Sequence, residues 1–474
     1  MNEIPKYSKV VYDSRKAEEG SAFFCLRGAV ADGHKFAKSA YDSGARVFFC
    51  EETLDLPDDA FQVVVPDTRK ELAVRAREFY GKPDEKLTLV GITGTKGKTT
   101  TSNMIYSLLC DSGLNAGVIG TNGVRYGDVF EKTANTTPES CDLYRIFADM
   151  VNAGVKYCVM EVSSQAYKMD RVYGLEFHIG IFTNLSPDHI GAGEHATFDE
   201  YMFCKAQLFR HSRISIINKD DDFAHVMAQN SKGQAYYIST VDPGADIYGS
   251  GVRPWKSDSA LGVDFSLTAF GESADIRVRT PGMYSVQNAM CVAAVCRILG
   301  MDMETIENKL TYCKVQGRFE IVDALPWATF VIDYAHNEIS LRSVLSTIRE
   351  YSPKRLICMF GSVGDRTQLR RGEMGRVAAQ FCDYCILTSD NPGYEDPMHI
   401  IRDIEKGLGE DFPHICIPDR AEAVDYAVQN ARRGDVILFA GKGHEDYQLI
   451  EGKKVPFSEK DEIAKSVHKL KMSV

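Results

Sequence analysis

The stretch Val90–Met104, VGITGTKGKTTTSNM, decides how this chain is read, because it sets a glycine-rich turn between two runs of different periodicity. The common phosphate-binding pattern G-x-x-x-x-G-K-[ST] asks for a glycine five residues before Gly97, and that position holds Ile92. The setting is still the one that phosphate chemistry needs. KLTLVGIT before the turn reads as a strand, and KTTTSNMIYSLLCDSG after it reads as a helix stopped by Gly113. Backbone N–H groups at such a helix start, with the helix dipole behind them, hold phosphate oxygens. Lys98 would then reach the β- and γ-phosphates of a nucleotide, and the Thr99 hydroxyl would ligate magnesium. The bland alternative is a glycine-rich turn that happens to precede Lys-Thr.

Working outward, NAGVIG, KYCVMEVSS, HIGIFTNLS and RISIINKDD are β-rich runs without polar alternation, as expected of strands covered on both faces. The reading is α/β with a mainly parallel sheet. VDFSLTAFGESADIRVRTPG alternates and carries a glycine between its halves, so it reads as a hairpin within or beside that sheet, and SVQNAMCVAAVCRILG as a helix ended by Gly300. Beyond KVQGRFEIVDALPW come strands TFVIDYAH, RLICMFGSVGD, YCILTSDNP and DVILFAGKGHE separated by helices, one with Leu341, Val344, Leu345 and Ile348 on a single face. Toward the N-terminus, ARVFFC and FQVVVPD read as strands, Thr68 to Tyr80 as a helix, and YGKPDEKL as a linker. This predicts three domains: a small mixed α/β domain over 1–86, a central ATPase-like parallel sheet over 87–316, and a Rossmann-like α/β domain over 317–474.

The bulk numbers fit that plan. A chain of 474 residues is too long for one core. No run of about 18 apolar residues is present to span a bilayer, and MNEIPKYSKVVYDSRK lacks the apolar segment of a secretory signal, which predicts a cytoplasmic protein without a membrane partner. A net charge of -11 argues against nonspecific nucleic-acid binding. The 13 cysteines are scattered, and the C-x-x-C at Cys382 and Cys385 has no second pair to complete a zinc site, so reduced structural thiols are expected.

The shortened loop GTKGKTT resembles the ATP loop of the Mur ligase family. TTPES at 136–140, MEVSSQAYKMDRV at 160–172, FTNLSPDHIG at 182–191, DYAHN at 333–337, SDNPGYEDP at 389–397 and GKGHEDYQ at 441–448 are similar, in order, to blocks of one branch of that family. That branch, MurE, adds the third amino acid to UDP-N-acetylmuramoyl-L-alanyl-D-glutamate in peptidoglycan synthesis.

The resemblance implies roles that the residues alone leave open. ATP would be held by Gly94, Thr95, Lys96, Gly97, Lys98, Thr99, Thr100, Asn288, Arg318, Asp333, His336 and Asn337; by themselves Asn288 reads as helix packing and Arg318 as a surface ion pair. Magnesium would be bound by Thr99, Glu161, His189 and Lys205, with Asp188 in support. Taken alone, Glu161 could be a cap or a solvated acid, His189 a structural or exposed ring, and Lys205 a helix lysine carrying its charge to water. The family lysine at this place is carbamylated, which turns a cation into a metal ligand. Lys98, Lys205, His189 and His336 are the implied catalytic set, with the third domain closing over ATP to exclude water. YDSRK and ADGHKF resemble the uridine-nucleotide site, which implies Ser14, Arg15 and His34; Thr136, Thr137, Ser163 and Arg171 match contacts to the muramoyl-peptide. Met169 departs from the glutamine of many relatives.

Diaminopimelate-adding members carry DNPR, whose arginine can pair with the substrate's distal carboxylate. Here the fourth position is Gly393, and GTKGKTT, SPDHIG and GSVGDRTQLRRGEMG look closer to the lysine-adding subgroup. L-lysine is therefore expected, with ornithine and diaminopimelate as alternatives. Asp396 and Glu445 would pair with its distal ammonium, and Asp390, Asn391 and Gly441 would shape the surroundings; Asp396 reads equally well as a helix N-terminal acid. The rival enzyme is folylpolyglutamate synthase, whose relatives start near their phosphate loop, whereas about ninety residues precede it here. A nucleotide-binding regulator without catalysis would have lost some of Lys98, Thr99, Glu161, His189, Lys205 and His336, and all are present. A monomer is expected.

Overall fold

The structure is a computed structural model that describes residues 3–28, 31–187, 190–191, 194–257, 260–313, 315–364, 368–409 and 411–472. The chain forms two compact units, Met1–Tyr248 with Met290–Met301, and Gly249–Ala289 with Asp302–Val474. No helix among the described residues is long and apolar enough to cross a membrane.

The first unit contains two sheets. Strands Lys9–Val11, Ser21–Phe24, Val47–Cys50 and Phe61–Val64 lie side by side in chain order, all parallel. SAFF and VFFC are apolar at both faces and wholly buried, and Phe24 stacks on Phe49 with centroids 4.3 Å apart. Asp67 caps the helix Thr68–Phe79 by accepting the Arg69 and Lys70 amides.

The expected linker is a packed turn. Pro83–Lys86 forms a 3-10 turn, Pro83 and Leu87 are buried, and Arg77 holds Asp84 and Glu85 at 2.9 and 2.6 Å. Its Gly and Pro punctuate the chain without loosening it. The cause lies in the surface behind it: Phe24, Phe49 and Leu72 share one apolar cluster with Leu89, Phe147 and Met150. Tyr12 also donates to Asp142 at 2.5 Å.

In the second sheet of this unit, Gln234–Ser239, Ser212–Asn218, Phe177–Phe182, Thr88–Thr93, Tyr157–Glu161 and Ala116–Gly120 run parallel in that spatial order. Gly123–Tyr126 and Val129–Glu131 extend it antiparallel. Ile92 is level with Glu161, and Thr93 with Phe182. Three strands therefore end together around the loop after Thr93, the place where open α/β sheets bind ligands.

The second unit has a six-stranded sheet ordered Glu320–Leu325, Ala328–Asp333, Asp435–Ala440, Arg355–Phe360, Tyr384–Leu387, His414–Cys416, with only the first pair antiparallel. Leu341, Leu345 and Ile348 of helix Glu338–Glu350 bury their stripe on one face; Val424, Val428 and Ile463 cover the other. The strands Leu261–Ala269 and Glu272–Val278 pair as the antiparallel hairpin read from the sequence. Tyr447–Ile450 and Lys453–Pro456 make a separate two-stranded ribbon. Gly300, with φ +90, follows the helix Met283–Ile298.

Candidate active site

The loop between Thr93 and the helix Lys98–Asp111 is shaped by two glycines. Gly94 has φ +149, and a Cβ there would lie 2.0 Å from the Thr183 hydroxyl; Gly97 has φ +87 as the helix begins. Asn184 staples the turn: its backbone carbonyl accepts the Thr95 amide at 2.8 Å and its side chain accepts the Lys96 amide at 2.9 Å. Lys98 bends back over the loop, donating to the carbonyls of Gly94 at 2.8 Å and Thr95 at 3.1 Å. The helix N-terminus and the lysine therefore face the same turn, the arrangement that cradles phosphate.

Glu161 ends its strand wholly buried. It accepts the Thr121 amide at 2.8 Å, the Thr99 hydroxyl at 3.0 Å and the Thr121 hydroxyl at 3.2 Å. All three donors are neutral, and among the described residues no ion pair reaches it. A buried carboxylate with neutral donors has a large unmet demand for positive charge. With the Thr99 hydroxyl beside it, it offers hard oxygen ligands of the kind magnesium takes. The solvated-acid reading of Glu161 is thereby corrected.

Lys205 is likewise not at the surface. Tyr201, Lys205, Leu208 and Phe209 form the buried face of helix Phe198–Arg210, and Lys205 points its ammonium at the Gly94 carbonyl, 2.7 Å away, and 4.5 Å from the Tyr201 ring centroid. The expectation of a lysine reaching to water fails because its helix packs that face inward. His189 and Asp188 lie outside the described residues.

Thr136, Thr137, Ser163 and Arg171 are linked to Glu161 by hydrogen bonds that run through Thr121 and Thr137. The Thr136 and Thr121 hydroxyls are 3.2 Å apart, and Thr137 donates to the Glu161 carbonyl at 2.9 Å and accepts the Ser163 amide at 3.1 Å. Arg171 pairs with Glu139 at 2.9 Å and donates to the Thr137 carbonyl; Arg69 grips the other oxygen of Glu139 at 3.0 Å. In the N-terminal sheet, Ser14 is buried and Arg15 is exposed beside Asp13. His34 has both ring nitrogens engaged: Nε2 accepts the Glu51 amide at 2.9 Å, which leaves the proton on Nδ1 facing Asp32 at 2.7 Å. Its structural role is evident, and no ring nitrogen is left over.

In the second unit, Asp333 is buried, accepts the Phe319 amide at 2.8 Å, and is pushed up from the usual carboxylate range by that burial. Arg318 is half-buried over the Tyr334 ring, 5.0 Å from its centroid, and among the described residues its Nε has no hydrogen-bond partner. That is a donor prepared for an anion and not the surface ion pair the sequence alone favoured. His336 directs Nδ1 at the Tyr334 carbonyl, 2.8 Å away, and burial holds its pKa below the usual value. Asn337 caps helix Glu338–Glu350 through the Ser340 amide, and Asn288 is buried on its helix.

The acidic candidates separate. Asp396 caps helix Pro397–Leu408 by accepting the Met398 amide at 2.9 Å, so of its two readings the structure shows the helix acid. Asp390, Asn391 and Glu445 instead meet around Lys442. The buried ammonium lies 3.1 Å from Asp390, 2.9 Å from Glu445 and 2.6 Å from the Asn391 amide oxygen. Gly441, at φ +111, leaves no room for a side chain, since a Cβ would meet Asp390 at 2.8 Å. Gly393, at φ +63, is clamped by backbone bonds with Leu449 and Glu451.

Three family models match the chain: the catalytic domain of the Mur ligase family over 6–80, the Mur ligase middle domain over 92–296, and the Mur ligase glutamate ligase domain over 317–443. A UDP-N-acetylmuramoyl-L-alanyl-D-glutamate–2,6-diaminopimelate ligase of Clostridium botulinum (strain ATCC 19397 / Type A) is 38% identical over 98% of this chain and 95% of its own. The chain belongs to the Mur ligase family. A ligase with the same name from Caldanaerobacter subterraneus subsp. tengcongensis is 39% identical over 97% of this Mur ligase and 94% of its own chain. A solved structure of a UDP-N-acetylmuramoyl-L-alanyl-D-glutamate–2,6-diaminopimelate ligase matches with a TM-score of 0.71 at 29% identity, over 98% of this chain and 95% of the other. The protein is thus an ATP-dependent, ADP-forming ligase with the three-domain α/β architecture of its family.

Sequence reading missed several residues of this Mur ligase. Thr121 is an ordinary threonine in the sequence, and only the strand register brings it to Glu161. Asn184 and Lys442 lie inside the motifs FTNLSPDHIG and GKGHEDYQ, yet nothing local shows which side chains staple a loop or neutralise an acid.

Proposed function

We propose that this Mur ligase adds a third amino acid to UDP-N-acetylmuramoyl-L-alanyl-D-glutamate, with an acyl phosphate as intermediate. What carries the reading is the constellation of Lys98, Thr99, Glu161 and Lys205 at the loop, in a chain alike along nearly its whole length to ligases named for that substrate. The similarity includes the residues before the loop, where a Mur ligase family model matches 6–80.

In this reading a carboxylate oxygen of the D-glutamyl side chain attacks the γ-phosphorus, the bond to the β-phosphate oxygen breaks, and ADP leaves. The amine then attacks the acyl carbon, inorganic phosphate leaves carrying the carboxylate oxygen that had attacked the phosphorus, and the nitrogen loses a proton. Lys98 and the N–H groups of the loop hold the phosphates, so most of the catalytic effect is positioning and charge neutralisation. Thr99 and Glu161 would hold magnesium, with His189 and a carbamylated Lys205 completing the set; bound there, the ion neutralises phosphate charge. Thr136, Thr137, Ser163 and Arg171 are assigned to the muramoyl-peptide, Ser14 and Arg15 to the uridine nucleotide, and Asn288, Arg318, Asp333, His336 and Asn337 to ATP, while His34, with both ring nitrogens engaged, is left out of the nucleotide set.

For the incoming amino acid, the residues around 393 support L-lysine. Gly393 offers no guanidinium, and Asp390 with Glu445 makes the neighbourhood acidic beyond what Lys442 cancels. A distal carboxylate left without a partner costs about 1–3 kcal/mol. The two named relatives and the solved structure all carry names that point the other way, to diaminopimelate. The decision comes from phosphate release with ATP and UDP-N-acetylmuramoyl-L-alanyl-D-glutamate, comparing L-lysine, L-ornithine and meso-diaminopimelate, with product mass as the check. Turnover with lysine alone supports the whole reading; turnover with diaminopimelate keeps the ligase and removes the lysine argument; no product with any amino acid removes the reading itself.

A further inference from the structure

Two carboxylates of the second unit, Asp390 and Glu445, lie on opposite sides of one buried ammonium. Lys442 is wholly inaccessible at its side chain, as is nearly all of Asp390, whereas Glu445 keeps 15% of its side chain exposed. Glu445 is also fixed from two other directions, by the Asn391 amide at 3.1 Å and the Tyr334 hydroxyl at 3.3 Å. Asn391 spends its oxygen on Lys442 at 2.6 Å and on the Leu449 amide at 2.8 Å. Glu445 is thus the carboxylate of the cluster that a ligand can reach, and Lys442 is the member that every other one touches.

Such a hub is costly to build, because a buried ammonium needs both charge partners and hydrogen bonds. It receives them here: among the described residues the Asp390 oxygen nearest it has no other hydrogen-bond partner, and the centroid of the Tyr447 ring lies 5.6 Å from the ammonium. The charge sum is informative. Two carboxylates and one ammonium leave one negative charge, and the carboxylate at the accessible end is Glu445. That is the complement of a single distal ammonium on an incoming amino acid. Without Lys442, Asp390 and Glu445 would repel one another and Asn391 would lose its tether.

We propose that Lys442 is the positioning residue of the amino-acid subsite: it cancels Asp390 and holds Glu445 and Asn391 to receive the ammonium of a diamino acid. This rests on the ligase reading above. Lys442 acts through Glu445 and Asn391, so its loss should be felt by one substrate out of three.

The test is steady-state kinetics of the full-length enzyme with each of the three substrates varied in turn. Lys442→Met should raise KM for the amino acid by about tenfold or more while kcat and the KM values for ATP and UDP-N-acetylmuramoyl-L-alanyl-D-glutamate stay within about threefold. Lys442→Arg, which keeps the charge, should recover part of the loss. An unchanged amino-acid KM in Lys442→Met, or an equal loss across all three substrates, overturns the proposal. Should Lys442→Met fail to fold, the double variant Lys442→Met with Asp390→Asn removes the buried pair together, a replacement that cores tolerate. The proposal predicts that this protein folds with the amino-acid KM still raised, and a wild-type value there refutes it. Failure of the ligase reading looks different, since the unaltered enzyme would then make no product.

Discussion

Glu161 in the first unit and Glu445 in the second are both carboxylates at the ends of parallel sheets, and they meet the cost of burial in opposite ways. Glu161 is surrounded by neutral donors, the Thr99 and Thr121 hydroxyls and the Thr121 amide. Glu445 has a cation from its own chain, Lys442 at 2.9 Å. The first arrangement is incomplete until a cation arrives, so it suits a site that works on polyphosphate with magnesium. The second is complete, and its remaining charge and exposed edge suit recognition. Burial alone does not tell a catalytic carboxylate from a selecting one; the sign of what surrounds it does.

The largest effect should come from the phosphate loop. Lys98→Met is expected to lower kcat about 10³-fold while leaving the melting temperature nearly unchanged, as read by phosphate release and thermal unfolding. A variant with near-normal turnover would end the assignment of the loop. Glu161→Gln should cost about 10²-fold in kcat and demand more magnesium, because an amide keeps the shape and removes the charge. If it leaves the magnesium dependence unchanged, the contrast between the two carboxylates collapses.

Smaller effects sharpen the comparison. Gly441→Ala puts a methyl 2.8 Å from the Asp390 carboxylate at a φ of +111, so the amino-acid KM should rise about tenfold with ATP affinity untouched. Arg171→Ala leaves Glu139 with Arg69 alone and should cost about 1–3 kcal/mol of stability by denaturant titration. The smallest effect concerns pH. Burial depresses the His336 pKa in the folded state, so the unfolded chain binds the proton more readily and stability falls as pH drops through the ordinary histidine range. His336→Gln should flatten that part of the stability profile; an unaltered slope would show that His336 does not carry it.

The strands were legible because buried parallel strands read as unbroken apolar runs: VFFC, TLVGIT and YCVME fall where the sequence places them. The helix read from Thr68 to Tyr80 forms over Thr68–Phe79. YGKPDEKL misled, since Gly and Pro mark a turn equally well in a linker and in a packed corner. The loop glycines announce a phosphate site, but the sequence cannot say that Lys205 turns inward, because a helix lysine takes its direction from what the helix packs on. Thr121, Asn184 and Lys442 stayed hidden for a similar reason: their partners are fixed by register and strand ends, which bring together residues far apart in the chain.

The central claim is that a substrate carboxylate is phosphorylated before the amide forms. It is tested most directly with UDP-N-acetylmuramoyl-L-alanyl-D-glutamate labelled with ¹⁸O in the glutamate side-chain carboxylate, turned over with ATP and the amino acid that supports product, with the released phosphate analysed by mass. The account predicts one labelled oxygen in each phosphate released. Product formed with unlabelled phosphate would contradict it.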